Sequence, residues 1–302
     1  MEIKKIDIAD SDYPEALKHI QGPPQELFVA GELLEEDKNA IAIVGTRQAS
    51  FYGISEAERF AYELGLLGIT IVSGMAKGID AASHRGAIKA GARTIAVMGA
   101  GHDKIYPPEH KKLYEEILKN GAVITEFPVG TELHPSNFPS RNRIISGLSK
   151  GVLVIDAPSK SGALITARFA LEQGREVFAV PGNINSAKSA GSNRLIKDGA
   201  KLVENTDDIL EELLYVLDIE AAGRRSQASG CRSQVAGCRS QASGELSQKE
   251  GKVYGILCDN PLSIDEIREN INLPVNEVSG ILLSLELKKL VKALPGENFI
   301  KV

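Results

Sequence analysis

The chain is predicted to fold as an α/β domain on a mostly parallel, doubly wound sheet, followed by a small C-terminal winged-helix unit. Three features predict the sheet. First, from residue 40 onward, apolar runs recur that are nearly continuous in Val, Ile and Ala rather than alternating, at 40–45, 69–74, 94–99, 122–127, 152–157, 177–181 and 201–204. Strands buried on both faces, as in a parallel sheet, read this way. Second, segments with helical periodicity lie between them, among them 54–67, 81–90 and 109–119. Third, Gly68, Gly91, Gly121, Gly174 and Gly199 stand where a helix hands over to a strand, the left-handed terminus that glycine adopts without steric penalty. Strands and helices alternating like this wind a sheet whose ligand crevice lies at the carboxyl ends of its strands.

Taken in order, residues 1–39 hold too few apolar side chains for a core of their own. They are expected to pack on the main domain as an arm, with Leu27 to Ala30 as a candidate edge strand. Residues 40–217 carry the sheet. Within 225–244 the chain reads RSQASGC RSQVAGC RSQASG, a repeat of period seven. These residue types cannot bury enough apolar area to order the backbone, so 218–245 is expected to be a flexible linker. No apolar a/d pair supports a coiled coil there. Residues 246–302 form the second unit. Val253, Ile256 and Leu257 suit one helix, and Ser263 with Glu266 forms a capping-box pattern opening another. Pro274 starts a third, with Val275, Val278, Leu282 and Leu285 on one face. The tail reads as a hairpin, which completes a winged-helix plan. Seven Lys and Arg against eight Asp and Glu in this unit favour protein contact over groove reading.

Composition narrows the function. The net charge of −5 and a pI near 5.7 exclude a generic polyanion binder, so only local basic patches can hold nucleic acid. With no Trp and 5% aromatic residues, base stacking must rest on a few Phe, Tyr or Arg side chains. Three Cys, two of them in the repeat, make neither a disulfide framework nor a metal set, and no metal or cofactor is expected. No leader or long apolar run is present, so a soluble, cytoplasmic protein without a membrane partner is expected.

The strand ends carry the chemistry. They gather Gly45-Thr46-Arg47, the SGMAKGID segment at 73–80, GAGHDKIYP at 99–107, TEFPVG at 125–130 and Ser159-Lys160-Ser161-Gly162. From Phe138 to Arg175 there are six Lys and Arg against two acids, and Arg141 and Arg143 flank Asn142. Backbone N–H groups at helix N-termini together with guanidiniums suit phosphate. No G-x-x-x-x-G-K-[ST] is present, and the Gly45 loop lacks G-x-G-x-x-G spacing.

Together with VGTR at 44–47, FPSRNRIISGLS at 138–149, SGALITA at 161–167 and VFAVPG at 177–182, these segments resemble the DNA-processing protein A family, DprA or Smf. The resemblance is strong over about 1–215 and looser over 246–302. It implies an extended Rossmann-like domain that binds single-stranded DNA, loads a RecA-type recombinase during natural transformation, and usually forms a homodimer. Some members carry an extra helical domain ahead of the sheet, which this chain is expected to lack. Carried over by motif, the DNA-binding residues would be Arg47, Lys111, Phe138, Arg141, Asn142, Arg143, Ser161 and Gly162, with Lys77 beside them. Phe138 reads equally as a stacking face or a core ring, Arg143 as a phosphate ligand or a partner of Glu126, and Lys77 as a pocket residue or a solvated one.

Two other readings compete. A phosphoribohydrolase of the lysine-decarboxylase-like type would need a P-G-G-x-G-T-x-x-E element, and the corresponding loop, SKSGALITARFA, has no Glu at that offset. Glu126 and Asp156 are then the acids nearest the strand ends. A transcription regulator would need a basic C-terminal unit.

Overall fold

A computed structural model describes residues 3–213 and, further on, 251, 253–255, 257, 262–264, 266–267, 275–287, 290–294 and 298–301. The chain divides into two compact units, Met1–Ile219 and Glu220–Val302. The expected linker, with Cys231 and Cys238, lies outside the described residues, as do Ile256 and Pro274.

The first unit is built on one nine-stranded sheet. In chain order its elements are β1 (Ile3–Asp7), α1 (Glu15–Lys18), β2 (Glu26–Gly31), β3 (Ala40–Gly45), α2 (Phe51–Leu66), β4 (Thr70–Ser73), α3 (Ile79–Lys89), β5 (Thr94–Val97), α4 (Lys111–Ile117), β6 (Gly121–Thr125), α5 (Asn137–Gly147), β7 (Gly151–Ile155), α6 (Gly162–Glu172), β8 (Glu176–Ala179), α7 (Ala190–Lys197), β9 (Lys201–Leu202) and α8 (Thr206–Leu213). Across the sheet the strands run β1-β2-β6-β5-β4-β3-β7-β8-β9. All neighbours from β6 to β9 pair in parallel, whereas β2 pairs antiparallel with both β1 and β6.

The unbroken apolar runs have the expected cause. Along β3, Ala40, Ala42 and Val44 enter one core, and Ile41 and Ile43 enter the other. Successive side chains of a strand point to opposite faces, so a strand covered on both sides must be apolar at every position. Ile144 and Ile145 of α5, Ala163 and Ala167 of α6, and Tyr13, Leu17 and Ile20 complete the first layer. Phe60 and Leu64 of α2, Ile79 of α3 and Ile209 of α8 complete the second.

Two expectations are corrected. Leu27 to Ala30 is not at the edge: β2 lies inside the sheet, with β1 beyond it. Of the five handover glycines, Gly68, Gly91, Gly174 and Gly199 have positive φ, but Gly121 does not. It is the first residue of β6, where a Cβ would overlap the Thr94 carbonyl, so close strand approach rather than helix termination requires it.

In the second unit, the helix Val275–Leu287 packs Val278, Leu282 and Leu285 with Val253, Leu257, Ile267 and Val291. Strands Leu262–Ser263, Asn298–Lys301 and Val291–Leu294 form a small antiparallel sheet, with Asn298–Lys301 in the middle. Ser263 thus ends a strand immediately before helical residue 264.

Candidate functional site

The order of strands reverses between β3 and β7, where a doubly wound sheet opens its ligand crevice. Here Asp156 stands at that point. Asp156, just past β7, has φ 46° and is buried. Its carbonyl accepts from the Thr46 N–H at 2.8 Å. Its carboxylate accepts from the Ser50 N–H at 2.8 Å and the Ser50 hydroxyl at 2.5 Å. Ser50 caps α2 by accepting from the Gly53 N–H at 2.9 Å, and a Cβ on Gly53 would overlap the Asp156 carboxylate. The start of α2, where partial positive charge collects, is therefore already held by the chain's own anion.

The open part of the edge lies over β3, β4 and β5. Arg47, Gly74, Ala76, Lys77, Tyr106, Pro107, Phe138 and Arg141 surround a cavity of about 40 Å³. Small-molecule sites enclose roughly 300–1,000 Å³, so this cavity is a dimple that admits little more than a water-sized group. The rim is cationic and aromatic. The Arg47 guanidinium carbon lies 5.0 Å from the Phe138 ring centroid, a cation–π contact. Tyr106 stands 5.8 Å from Phe138, centroid to centroid, at 49°. Lys77 lines the cavity and pairs with Glu109; that hydrogen bond raises the Lys77 pKa and lowers that of Glu109.

The floor is Arg141, one of the expected phosphate ligands. Only 4% of the residue is exposed. Its Nη1 donates to the Gly74 carbonyl at 2.7 Å and to the Val97 carbonyl, and Nε donates to Asn142 Oδ1 at 3.3 Å. The guanidinium ties α5 across the carboxyl ends of β4 and β5. Burial pushes its pKa down to about 10, against the pull of Asp80, so it is charged at neutral pH. Asp80 is itself buried, which raises its pKa; Arg141 and the Ala76 N–H oppose that rise.

Neighbouring residues on α5 are also engaged. Arg143 grips Glu126 in a bidentate pair at 2.9 and 2.6 Å and donates from Nε to the Gly22 carbonyl at 2.9 Å, a geometry that fixes β6 and the N-terminal segment against the helix. The pairing with Glu126 is one of its two expected readings. Buried Asn142 donates to the Gly162 carbonyl at 3.3 Å, and Ser161 caps α6 by accepting from the Ala163 N–H. Asn142 and Arg143, both expected at the DNA, are thus engaged with the chain's own groups. Gly162 is exposed at the start of α6, and Lys111 is exposed as the first residue of α4, outside the cavity lining. The structure thus gathers Arg47, Lys77 and Phe138 on one rim above Arg141, with Ser161 and Gly162 joined to it through α5.

Sequence reasoning passed over Tyr106 and Asp80. Tyr106 stands inside the GAGHDKIYP segment, and a Tyr before Pro in a strand-end loop was the available signal. For Asp80, the signal was an acid in the first turn of a helix behind a glycine-rich loop.

Below the site, His84 is fully buried. The Thr94 hydroxyl donates to the Ile71 carbonyl at 2.8 Å, so His84 Nδ1 is the donor in its 2.7 Å contact with Thr94 Oγ1. Nε2 has no partner. Burial, then the charges of His110, Arg141 and Arg85, push its pKa down to about 3. A base with a depressed folded pKa contributes full stability above its unfolded pKa and loses it on acidification, at about 1.4 kcal/mol per pH unit. Urea unfolding should therefore show that the wild type loses about 2 kcal/mol more than His84→Gln between about pH 7 and about pH 5.

These features define a class: a Rossmann-like α/β protein with Asp156 at the helix head of its strand-order switch and a shallow, cationic and aromatic strand-end edge. The chain belongs to the DNA recombination-mediator protein A family, whose model matches residues 4–214, and a DprA winged-helix model matches 239–297. It is 42% identical over 291 residues to protein Smf of Escherichia coli, spanning 95% of this chain and 75% of the relative. It is 45% identical over 212 residues to DNA processing protein DprA of Bacillus subtilis, spanning 70% and 71%. The crystal structure of DNA processing protein A from Streptococcus pneumoniae superposes with a TM-score of 0.66 at 42% identity, over 70% of this chain and 75% of that one. DNA processing protein A from Helicobacter pylori, whose single-stranded DNA binding mode has been described structurally, gives 0.65 at 29% identity, over 72% and 98%. Among the described residues no helix is long and apolar enough to cross a membrane, and no group of three or more His, Cys, Asp or Glu is placed to hold a metal.

Proposed function

We propose that this protein binds single-stranded DNA with little sequence preference and passes it to a RecA-type recombinase, as in natural transformation. The observation that carries the reading is the rim itself, in which an exposed Arg47 is held against Phe138 and flanked by Lys77 and Tyr106 at the strand ends. Cations there neutralise phosphates and rings meet bases, contacts that every nucleotide offers. The single-strand binding mode of the Helicobacter pylori relative supports it. The recombinase partner, the homodimer and the cytoplasmic setting rest on the family resemblance. The second unit, with its acidic balance, serves protein contact in this scheme.

The geometry disfavours nucleotide hydrolysis. A cavity of about 40 Å³ encloses no nucleotide. Glu126 is tied to Arg143 and Asp156 to Ser50, and neither lines the cavity.

Fluorescence anisotropy with labelled oligonucleotides of several lengths, at two salt concentrations, tests the proposal. Single strands should bind more tightly than duplex, and log K should fall with log salt by about 0.7 per phosphate neutralised. Equal affinity for duplex, or affinity indifferent to salt, would sink it. Recombinase assembly on single strands, with and without the protein, tests the second half separately.

A further inference from the structure

We infer that His110 is a positioning residue: it latches the loop after β4 in a strained shape and acts on the rim without touching the ligand. Its bearing on affinity rests on the proposed single-strand binding; the latch itself does not.

Met75, two residues past β4, has φ 55°. A bulky side chain in that left-handed region is strained, and such residues persist only where their surroundings over-determine them. Glycine would adopt this φ freely. The Met75 side chain, however, is fully buried with Ala81, Ala96, Met98 and Leu113, and removing it would leave a cavity. The backbone must therefore be held from outside. On one side the Gly74 carbonyl accepts from Arg141 Nη1 at 2.7 Å, and the Ala76 carbonyl accepts from the Ala81 N–H at 3.1 Å. On the other side the Met75 carbonyl accepts from His110 Nδ1 at 2.9 Å. A carbonyl only accepts, so Nδ1 carries the hydrogen whichever charge the ring bears. This bond acts on the strained residue itself. It comes from the short turn Pro108–His110, which links the loop after β5 to α4. The Lys77–Glu109 pair bridges the same two segments, but both side chains are more than half exposed, and such pairs hold weakly. Gly74, Ala76 and Lys77 line the rim cavity, whereas His110 does not. Without its bond, Met75 is free to leave the left-handed region and carry those three with it. A site that is competent only part of the time binds in proportion to that fraction.

Two variants of nearly equal shape test the latch. His110→Leu removes the donor, and His110→Asn keeps an N–H on Cγ, where Nδ1 stands. Hydrogen exchange over residues 73–80 should be about tenfold faster in His110→Leu and close to wild type in His110→Asn. Urea curves confirm that both variants are folded. Affinity for oligo(dT) should fall about fivefold in His110→Leu and be kept in His110→Asn. The log–log salt slope should be unchanged in both, because no phosphate contact is removed. Unchanged exchange in His110→Leu, or equal damage in His110→Asn, overturns the latch. Faster exchange with wild-type affinity overturns the positioning role, and a flattened salt slope does so by making His110 a phosphate ligand. A wild type that binds no oligo(dT) refutes the binding proposal, while the exchange result still decides the latch.

Discussion

Arg141→Leu is expected to destabilise the first unit by about 3–5 kcal/mol, the range for removing a buried guanidinium whose polar partners are left uncompensated. The side chain is close in volume, so cavity formation is a minor part of the loss. What remains is Asp80, buried and without its main cationic neighbour, and two strand-end carbonyls, of Gly74 and Val97, without their donor. Each unsatisfied buried acceptor accounts for about 1–3 kcal/mol of that cost. Urea unfolding followed by circular dichroism measures it, and an unchanged m-value would show that the denatured state is not the cause. A second substitution separates charge from hydrogen bonding. Adding Asp80→Asn to Arg141→Leu should recover part of the loss, because a neutral amide replaces a buried carboxyl that has lost its cationic neighbour. Wild-type stability in Arg141→Leu would mean that the guanidinium is not a tie between α5 and the sheet.

The second large effect falls on binding and should leave the fold untouched. Arg47 is exposed on the loop after β3, so Arg47→Glu should shift stability by no more than about 0.5 kcal/mol. Single-strand affinity should fall about tenfold in Arg47→Ala and about a hundredfold in Arg47→Glu, because the latter replaces attraction by repulsion at a phosphate. The log–log salt slope should flatten by about 0.7 in Arg47→Ala, one phosphate's worth for a single strand. Affinity lost with no change of slope would assign Arg47 to shaping the rim through Phe138 rather than to neutralising DNA.

Much of the architecture was legible because strands covered on both faces leave an unmistakable mark: every position from Ala40 to Val44 is apolar, with no alternation to misread. β2 was harder. Leu27 to Ala30 is a short run, and its inner place is set by β6, which accepts it as an antiparallel neighbour from nearly a hundred residues away. The site was legible as a neighbourhood but not side chain by side chain. Motif position cannot distinguish Arg47, which is exposed, from Arg141, which is sealed. That difference arises only when Gly74 and Val97, 67 and 44 residues distant, converge on the same guanidinium. Likewise the bidentate grip of Arg143 on Glu126 needs the end of β6 beside α5, and local sequence offered it only as one of two readings.

The carboxylate of Asp156 at the head of α2 also bears on control. A free phosphate reaching that spot would compete with an anion that cannot diffuse away and whose effective concentration is on the order of millimolar or higher. Dinucleotide enzymes leave the same place vacant until a ligand fills it. Here the Asp156 carboxylate stands at the head of α2, against Ser50, where a nucleotide phosphate would have to approach.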